Sequence, residues 1–189
     1  MFDTKDQDLL NSDNDLQLVK GCIDGDLVSQ KILYERFSKK MMGVCLRYAD
    51  NYEDAQDILQ EGLIKVFKNM HSFKGSGSLE GWIRKIITNT ALAVYRKSNP
   101  LRLSKGMEEL ELIPASDGNI IGSISANELL NIIRKLPSGY RIVFNLYAIE
   151  GYSHKEIAEQ LDITESTSKS QYSRARSLLQ KIIQSEEVS

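Results

Sequence analysis

Apolar side chains recur along the chain mainly at three- and four-residue intervals, which predicts helices. In the N-terminal half one such stripe runs through residues 33–48 and a second through residues 55–70, separated by a short polar break. A third begins at Leu79 and continues to about Lys97. No convincing run alternates apolar and polar residues between turn signals, as a half-buried strand would. The pattern therefore predicts an all-α fold.

The C-terminal part begins with two predicted helices, one over residues 125–135 and one whose first turn is marked by Pro137. Glycine and proline are instead concentrated between the two halves of the chain. Residues 98–122 contain two of the three prolines and three glycines, which is typical of an extended connection. We therefore predict two small helical domains, over residues 1–97 and 123–189, joined by a flexible linker over residues 98–122.

A helix-turn-helix is predicted near the C-terminus. Ser153 and Glu156 form a capping box at the start of one helix, Ile163 is the apolar residue of a short turn, and Thr164 caps a second helix that extends to about Ile183. Such a second helix enters the major groove of DNA. The residues predicted to face the DNA bases or backbone are Ser166, Thr167, Lys169, Ser170, Ser173, Arg174 and Arg176. A helical hairpin that serves only for packing remains the alternative.

Charge is distributed in blocks, although the formal net charge is only −2. Residues 71–105 sum to +6 and residues 165–181 to +3, whereas residues 1–30 and 106–128 each sum to −5. Two separated basic segments favour two contacts with one polyanion, and an acidic connection can occupy a basic channel by resembling phosphate. Solvated helix faces and a simple tether are the alternatives.

Catalytic and metal-binding patterns are missing from the sequence. The two cysteines, Cys22 and Cys45, have neither a CxxC partner nor a histidine at ligand spacing, so we expect buried free thiols. Neither histidine belongs to a triad-like arrangement. We expect that the chain is not an enzyme and that it binds no metal, no cofactor and no small-molecule substrate. The acidic N-terminus and the short apolar runs predict a cytoplasmic chain with no membrane insertion.

Two segments on either side of the predicted linker resemble one known family. These are YEDAQDILQEGLIKVFKN with GSLEGWIRKIITNTALAVYRK, and LPSGYRIVFNLYAIEGYSHKEIAEQLDITESTSKSQYSRARSLL. In this order they resemble the extracytoplasmic-function (ECF) sigma factors, two-domain specificity subunits of bacterial RNA polymerase. The resemblance implies a first domain similar to sigma region two and a last domain similar to sigma region four. The latter would recognise the minus-thirty-five promoter element.

The resemblance also implies contact residues in the first domain. Asp57, Gln60 and Glu61 would dock on the β′ clamp helices of core polymerase, although exposed carboxylates are also explained by solvation alone. The residues implied in capture and opening of the minus-ten element are Phe73, Lys74, Ser76, Arg84, Lys85, Asn89, Arg96 and Lys97. Trp82 lies in the apolar stripe and is expected in the core, with a base wedge as the alternative.

The partners implied by the resemblance are core RNA polymerase, through its β′ clamp helices and β flap, promoter DNA, and an anti-sigma factor. The chain departs from the family pattern at Ala93, where an acidic residue is common, and at Ser168, Gln171 and Tyr172 in the DNA-facing helix. A stand-alone helix-turn-helix regulator, which binds duplex DNA without polymerase, is the alternative function. It leaves the acidic face around Asp57 unexplained.

Overall fold

The structure is a computed structural model that describes residues 4–98 and 126–187, with side chains described over residues 14–97 and 128–185. The described residues contain helices and turns but no strand. The predicted all-α fold is therefore confirmed. In these same ranges, no helix is long and apolar enough to cross a membrane.

The chain divides into two compact units. One comprises Met1–Cys45 with Asn51–Ala91, and the other comprises Leu46–Asp50 with Leu92–Ser189. The predicted domain borders at residues 97 and 123 remain a prediction, and residues 99–122 of the predicted linker lie outside the described residues.

The first unit is built mainly from four long helices, of which the second and the fourth end within the other unit, at residues 46–48 and 92–98. Their bounds are α1 Thr4–Ile23, α2 Leu27–Tyr48, α3 Tyr52–Lys68 and α4 Leu79–Ser98, with a short 3₁₀ turn at Met70–Ser72. The core positions of α2 to α4 recur at three- and four-residue intervals, as an amphipathic helix requires. They include Leu33, Phe37, Met41, Val44, Ala55, Ile58, Val66, Leu79, Ile83 and Ile87, each at most 3% exposed.

The second unit contains shorter helices followed by one long one. Their bounds are α5 Ala126–Arg134, α6 Ser138–Phe144, α7 His154–Leu161 and α8 Glu165–Glu187, with a π-helical turn at Asn145–Ile149 between α6 and α7. Its core packs α5 and α6 against the inner side of α8. The buried cluster consists of Ile132, Ile133, Leu136, Tyr140, Ala175 and Leu179.

Several local features differ from the sequence-based predictions. Pro137 does not lie in the first turn of α6 but precedes it, with an extended ψ of 140°. Trp82, expected in the core, is only half-buried. Helix α1 was not predicted, because its buried apolar residues Leu18, Val19 and Cys22 are surrounded by acidic and polar positions.

The prediction of buried free thiols at both cysteines is confirmed.

Candidate nucleic-acid and protein interfaces

Helix α3 exposes the three residues predicted to bind polymerase. Asp57, Gln60 and Glu61 are all exposed, and their three- and four-residue spacing places them on one side of the helix. The helix start is fixed by Asn51, whose side-chain oxygen accepts a hydrogen bond from the Asp54 amide at 2.8 Å. The structure therefore presents two carboxylates and one amide together to solvent.

An apolar groove of about 710 Å³ lies beside this face, between α2 and α3. Gln60 lines it, as do Tyr34, Tyr52 and Ile64, which are 51%, 56% and 47% exposed. Exposed apolar surface next to polar groups is typical of a protein-binding site. This groove was not predicted from the sequence. Its signal is Ile64, an apolar residue four positions after Gln60 on an otherwise polar face.

The loop between the 3₁₀ turn and α4 carries predicted contacts for the minus-ten element. Lys74 and Ser76 are exposed on it. Gly75 and Gly77 have φ values of 73° and 89°, in the left-handed region that favours glycine. The two glycines thus produce the bends that expose the lysine and the serine.

Aromatic and capping contacts hold the two ends of this loop. The ring of Phe73 lies 5.6 Å from the ring of Trp82 at an angle of 59°, which is a favourable tilted pair. At the start of α4, the Ser78 hydroxyl accepts a hydrogen bond from the Gly81 amide at 3.0 Å. Phe73 is therefore half-buried, rather than projecting freely as an exposed stacking platform.

Helix α1 approaches the same loop. A Cβ atom on Gly75 would lie 3.1 Å from Cδ2 of Leu16, so only glycine fits there without movement. The Asp15 carboxylate lies 2.7 Å from the Arg36 guanidinium, which ties α1 to α2. The loop thus packs against α1, a helix that the apolar pattern did not predict.

The predicted DNA contacts on α4 do not all share one face. Lys85 and Asn89 are exposed one turn apart, and Arg96 follows seven residues later on the same side. Arg84 points elsewhere and is half-buried. Lys97 is also exposed. It faces a direction about a third of a turn away from that of Arg96, because successive residues of a helix are rotated by roughly 100° about its axis.

The predicted helix-turn-helix is present in the second unit. Both hydrogen bonds of the capping box form, since the Glu156 amide donates to Ser153 Oγ at 3.3 Å and the Ser153 amide to Glu156 Oε2 at 2.8 Å. Asp162 ends α7 in the left-handed conformation, with φ of 54°. The Ile163 amide then donates to the Ala158 carbonyl at 3.1 Å, which closes the turn.

The outward side of α8 is a strip of short hydroxyl side chains. Ser166, Ser170 and Ser173 are exposed at four- and three-residue spacing, and we call this strip the serine face. Thr167 lies to one side. It is half-buried and belongs to the cap, because its amide donates to Thr164 Oγ1 at 3.1 Å.

The predicted cations of α8 flank the serine face unequally. Lys169 is exposed and lies 2.6 Å from the Glu165 carboxylate, and the hydrogen bond from Lys169 lowers the pKa of Glu165. Arg176 is exposed and makes no salt bridge with the described residues. Arg174 lies on the opposite flank, half-buried, with its Nε atom shielded from solvent.

The inner side of α8 contacts α7 through polar and aromatic groups. Ser168 is fully buried, and its Oγ lies 2.9 Å from Nδ1 of His154. Burial, and secondly the nearby Lys169 charge, lower the pKa of His154 below its ordinary value, although Glu165 opposes this shift. Ser168 and Tyr172 depart from the family pattern, but nothing in the sequence predicts this contact.

Comparison with known families accounts for both units. The sigma-70 region 2 model matches residues 33–100 and the sigma-70 region 4 model matches residues 126–179, in the order expected from the sequence. The chain belongs to the ECF subfamily of sigma-70 factors. The α3 face, the loop and α4 fall within the region 2 match, and the helix-turn-helix falls within the region 4 match.

Individual sigma factors are similar over most of the chain. The ECF RNA polymerase sigma-E factor of Haemophilus influenzae is 26% identical over 181 residues, covering 90% of this chain and 95% of the relative. The RNA polymerase sigma-H factor of Pseudomonas aeruginosa is 26% identical over 187 residues, covering 93% and 97%. The ECF sigma factor SigE of Mycolicibacterium smegmatis is 29% identical over 151 residues, covering 78% and 58%.

A solved structure shares the fold. The sigma factor RpoE of Bartonella quintana, crystallised with the anti-sigma factor NepR, matches with a TM-score of 0.50 at 21% identity. The match covers 82% of this chain and 96% of that one. This similarity supports the helical architecture of the ECF sigma factor described above.

Proposed function

We propose that this chain binds core RNA polymerase, directs it to specific promoters and assists opening of the duplex in transcription initiation. The observation that carries the proposal is the match of two sigma-70 regions, in order, to helical units that each expose a predicted contact surface. The proposal assigns no catalytic group to the chain, because promoter recognition and strand separation draw on binding free energy alone.

The proposed polymerase contact is the α3 face with its adjoining groove. Asp57 and Glu61 supply charge for basic side chains of the β′ clamp helices, and Gln60 supplies an amide. The exposed rings of Tyr34 and Tyr52 supply the apolar area that a stable protein interface needs. The β flap is the proposed second polymerase contact.

The proposed minus-ten contact combines the glycine-containing loop with α4. A base removed from the stack loses pairing and stacking, and small loop residues leave room to receive it. We assign the exposed Lys74, Lys85 and Arg96 to the phosphates of the displaced strand. Because Phe73 already packs on Trp82, a base that stacks there would extend an existing aromatic pair.

The proposed minus-thirty-five contact is the outward side of α8. Serine hydroxyls both donate and accept, so the serine face can approach any base edge. Lys169, Arg174 and Arg176 are assigned mainly to phosphates, where charge matters more than geometry. We also propose an anti-sigma factor as a partner, since exposed apolar surface in a free sigma factor favours a protein that covers it.

Run-off transcription tests the function. Purified core polymerase is supplied with promoter fragments from the source organism, with and without this protein, and co-elution of the protein with polymerase is measured in parallel. We expect specific transcripts only when the protein is present. Promoter binding by the protein alone, without transcripts or co-elution, would instead establish the stand-alone regulator.

A further inference from the structure

The contact between α7 and α8 contains a polar pair, formed by the buried Ser168 and the half-buried His154, that promoter binding does not use directly. Ser168 is 0% exposed and its Oγ lies 2.9 Å from His154 Nδ1. A buried hydroxyl is costly unless it is hydrogen-bonded, and hydrogen bonds tolerate little change in distance or angle. The pair therefore constrains the helix crossing more narrowly than an apolar contact would.

Aromatic neighbours hold the imidazole in place. The Tyr147 ring stacks on the His154 ring with centroids 4.2 Å apart and an angle of 11°, and the Tyr172 ring meets it edge-on at 5.8 Å. Tyr147 and Tyr172 also contact each other, with centroids 4.5 Å apart. Three elements, the π-helical turn, α7 and α8, thus converge on one ring and fix where its Nδ1 atom lies.

The pair lies directly behind the proposed DNA contact. Ser168 is two residues from both Ser166 and Ser170, but on the opposite side of α8. A helix rotates as a rigid body over so short a distance. Any rotation of α8 about its axis that broke the His154–Ser168 hydrogen bond would therefore turn the serine face by the same angle.

We propose that His154 is a positioning residue for promoter reading. Through its hydrogen bond with the Ser168 hydroxyl, it sets the rotation of α8 and thereby the base edges that the serine face meets. The inference rests on the proposed function, because the rotation of α8 affects promoter recognition only if α8 contacts promoter DNA.

Two matched variants separate the hydrogen bond from the ring stack. His154→Phe retains an aromatic ring for Tyr147 and Tyr172 but has no atom that can hydrogen-bond to Ser168. His154→Asn loses the ring but has a side-chain oxygen close to the position of Nδ1. Ser168→Ala removes the other partner of the same hydrogen bond with a minimal change of volume.

The measurement is a base-preference profile of the reconstituted holoenzyme. Each base of the upstream promoter element is replaced by the other three, and transcription is compared across the templates for every variant. We expect His154→Phe and Ser168→Ala to change the relative preference at one or more positions by about 2- to 10-fold, the range of one hydrogen bond. The double variant should show no further change, and His154→Asn should retain the wild-type profile.

Three outcomes would overturn the inference. His154→Phe and Ser168→Ala could lower transcription equally on all templates, which is what a purely structural role produces. His154→Asn could shift the profile as much as His154→Phe, which would assign the effect to stacking. If the wild-type chain fails to transcribe with polymerase, the proposed function fails. The same profile is then measured as direct duplex binding, where an unchanged profile in His154→Phe, or no binding, again overturns the inference.

Discussion

At the scale of single residues, His154 links the stability of the helix-turn-helix to pH. Burial and the Lys169 charge lower its pKa in the folded chain, so folding favours the neutral ring. Its contribution to stability is fully present above the unfolded pKa of about 6.5 and is lost as pH falls towards the lower folded value. Besides Lys169, the groups that face it from packed elements are Glu165, Tyr147 and Tyr172.

We expect His154→Phe to weaken the pH dependence of unfolding in the second unit. The measurement is a urea titration at about pH 7 and at about pH 5, on either side of the unfolded pKa. Unfolding is monitored through the amide resonances of α8. Lys169→Gln is the informative companion, because removing that cation should raise the folded pKa of His154 towards its unfolded value and so reduce the loss of stability between pH 7 and pH 5. Equal pH dependence in wild type and His154→Phe would contradict the prediction.

Both the backbone conformation and the packing at position 75 favour glycine. Gly75→Ala places a Cβ in the left-handed region, at a cost of about 1–2 kcal/mol, and 3.1 Å from Leu16. We expect lower stability of the first unit, measured by urea unfolding with Trp82, the chain's single tryptophan, as the fluorescent probe.

Gly43→Ala is the matched control for this substitution. Gly43 lies within α2, has no positive φ, and has no atom within 4 Å of an added Cβ. Alanine is a better helix former than glycine, so this variant should be as stable as wild type or more stable. A Gly75→Ala chain as stable as Gly43→Ala would show that the loop does not need its left-handed turn.

At the scale of elements, the outer face of α3 is expected to govern polymerase affinity. Asp57→Ala combined with Glu61→Ala removes two exposed carboxylates from one side of the helix. We expect binding to core polymerase to weaken by roughly tenfold, as for loss of two interfacial charges. Fluorescence anisotropy of the labelled full chain, titrated with core polymerase, measures the change.

Glu35→Ala is the control for charge alone. Glu35 is exposed on α2, where it pairs with Lys31 at 3.8 Å, and it does not line the groove. We expect little change in affinity. If this variant lost as much affinity as the α3 pair, the chain's overall charge rather than the α3 face would determine binding.

The sequence predicted elements better than it predicted contacts. The stripes of α2, α3 and α4, the capping box and the Thr164 cap are local patterns, and a single helix face or turn contains all the necessary information. The Leu16 contact with Gly75 and the pairing of His154 with Ser168 join residues from different elements. No periodicity reports such contacts, so Ser168 was visible only as an unusual residue type.

Burial also separates residues that the sequence treats alike. Arg174 and Arg176 are both basic and two positions apart, yet one is half-buried and the other is exposed. Their difference follows from the direction of the α8 core, which is set by packing of Ala175 and Leu179. Candidate DNA contacts are thus predictable as a set, whereas their ranking needs the structure.

At the scale of the whole molecule, DNA binding by a chain of net charge −2 has to rely on local charge. Arg176 makes no salt bridge with described residues, whereas Lys169 pairs with Glu165 at 2.6 Å. We expect Arg176→Ala to reduce the salt dependence of holoenzyme binding to promoter DNA by about one unit of slope, as for one lost phosphate contact. Lys169→Ala should reduce it less, because Glu165 already offsets part of that charge.

The two interfaces should also be separable. Lys169→Ala with Arg174→Ala should weaken upstream promoter contact, measured by footprinting, while affinity for core polymerase remains that of wild type. Loss of polymerase binding in this variant would contradict the assignment of α8 to DNA.

The serine face affects how many different upstream promoter sequences the chain recognises. Short side chains cannot reach across a groove, so α8 must approach the base edges closely, and a hydroxyl accepts almost any partner it meets there. Discrimination then depends on whether the local groove width and stiffness of the duplex admit the helix. Among upstream elements that share this geometry, differences in base sequence would then be distinguished only by the modest preferences of single hydroxyl contacts, and most of the discrimination between promoters would come from the downstream element.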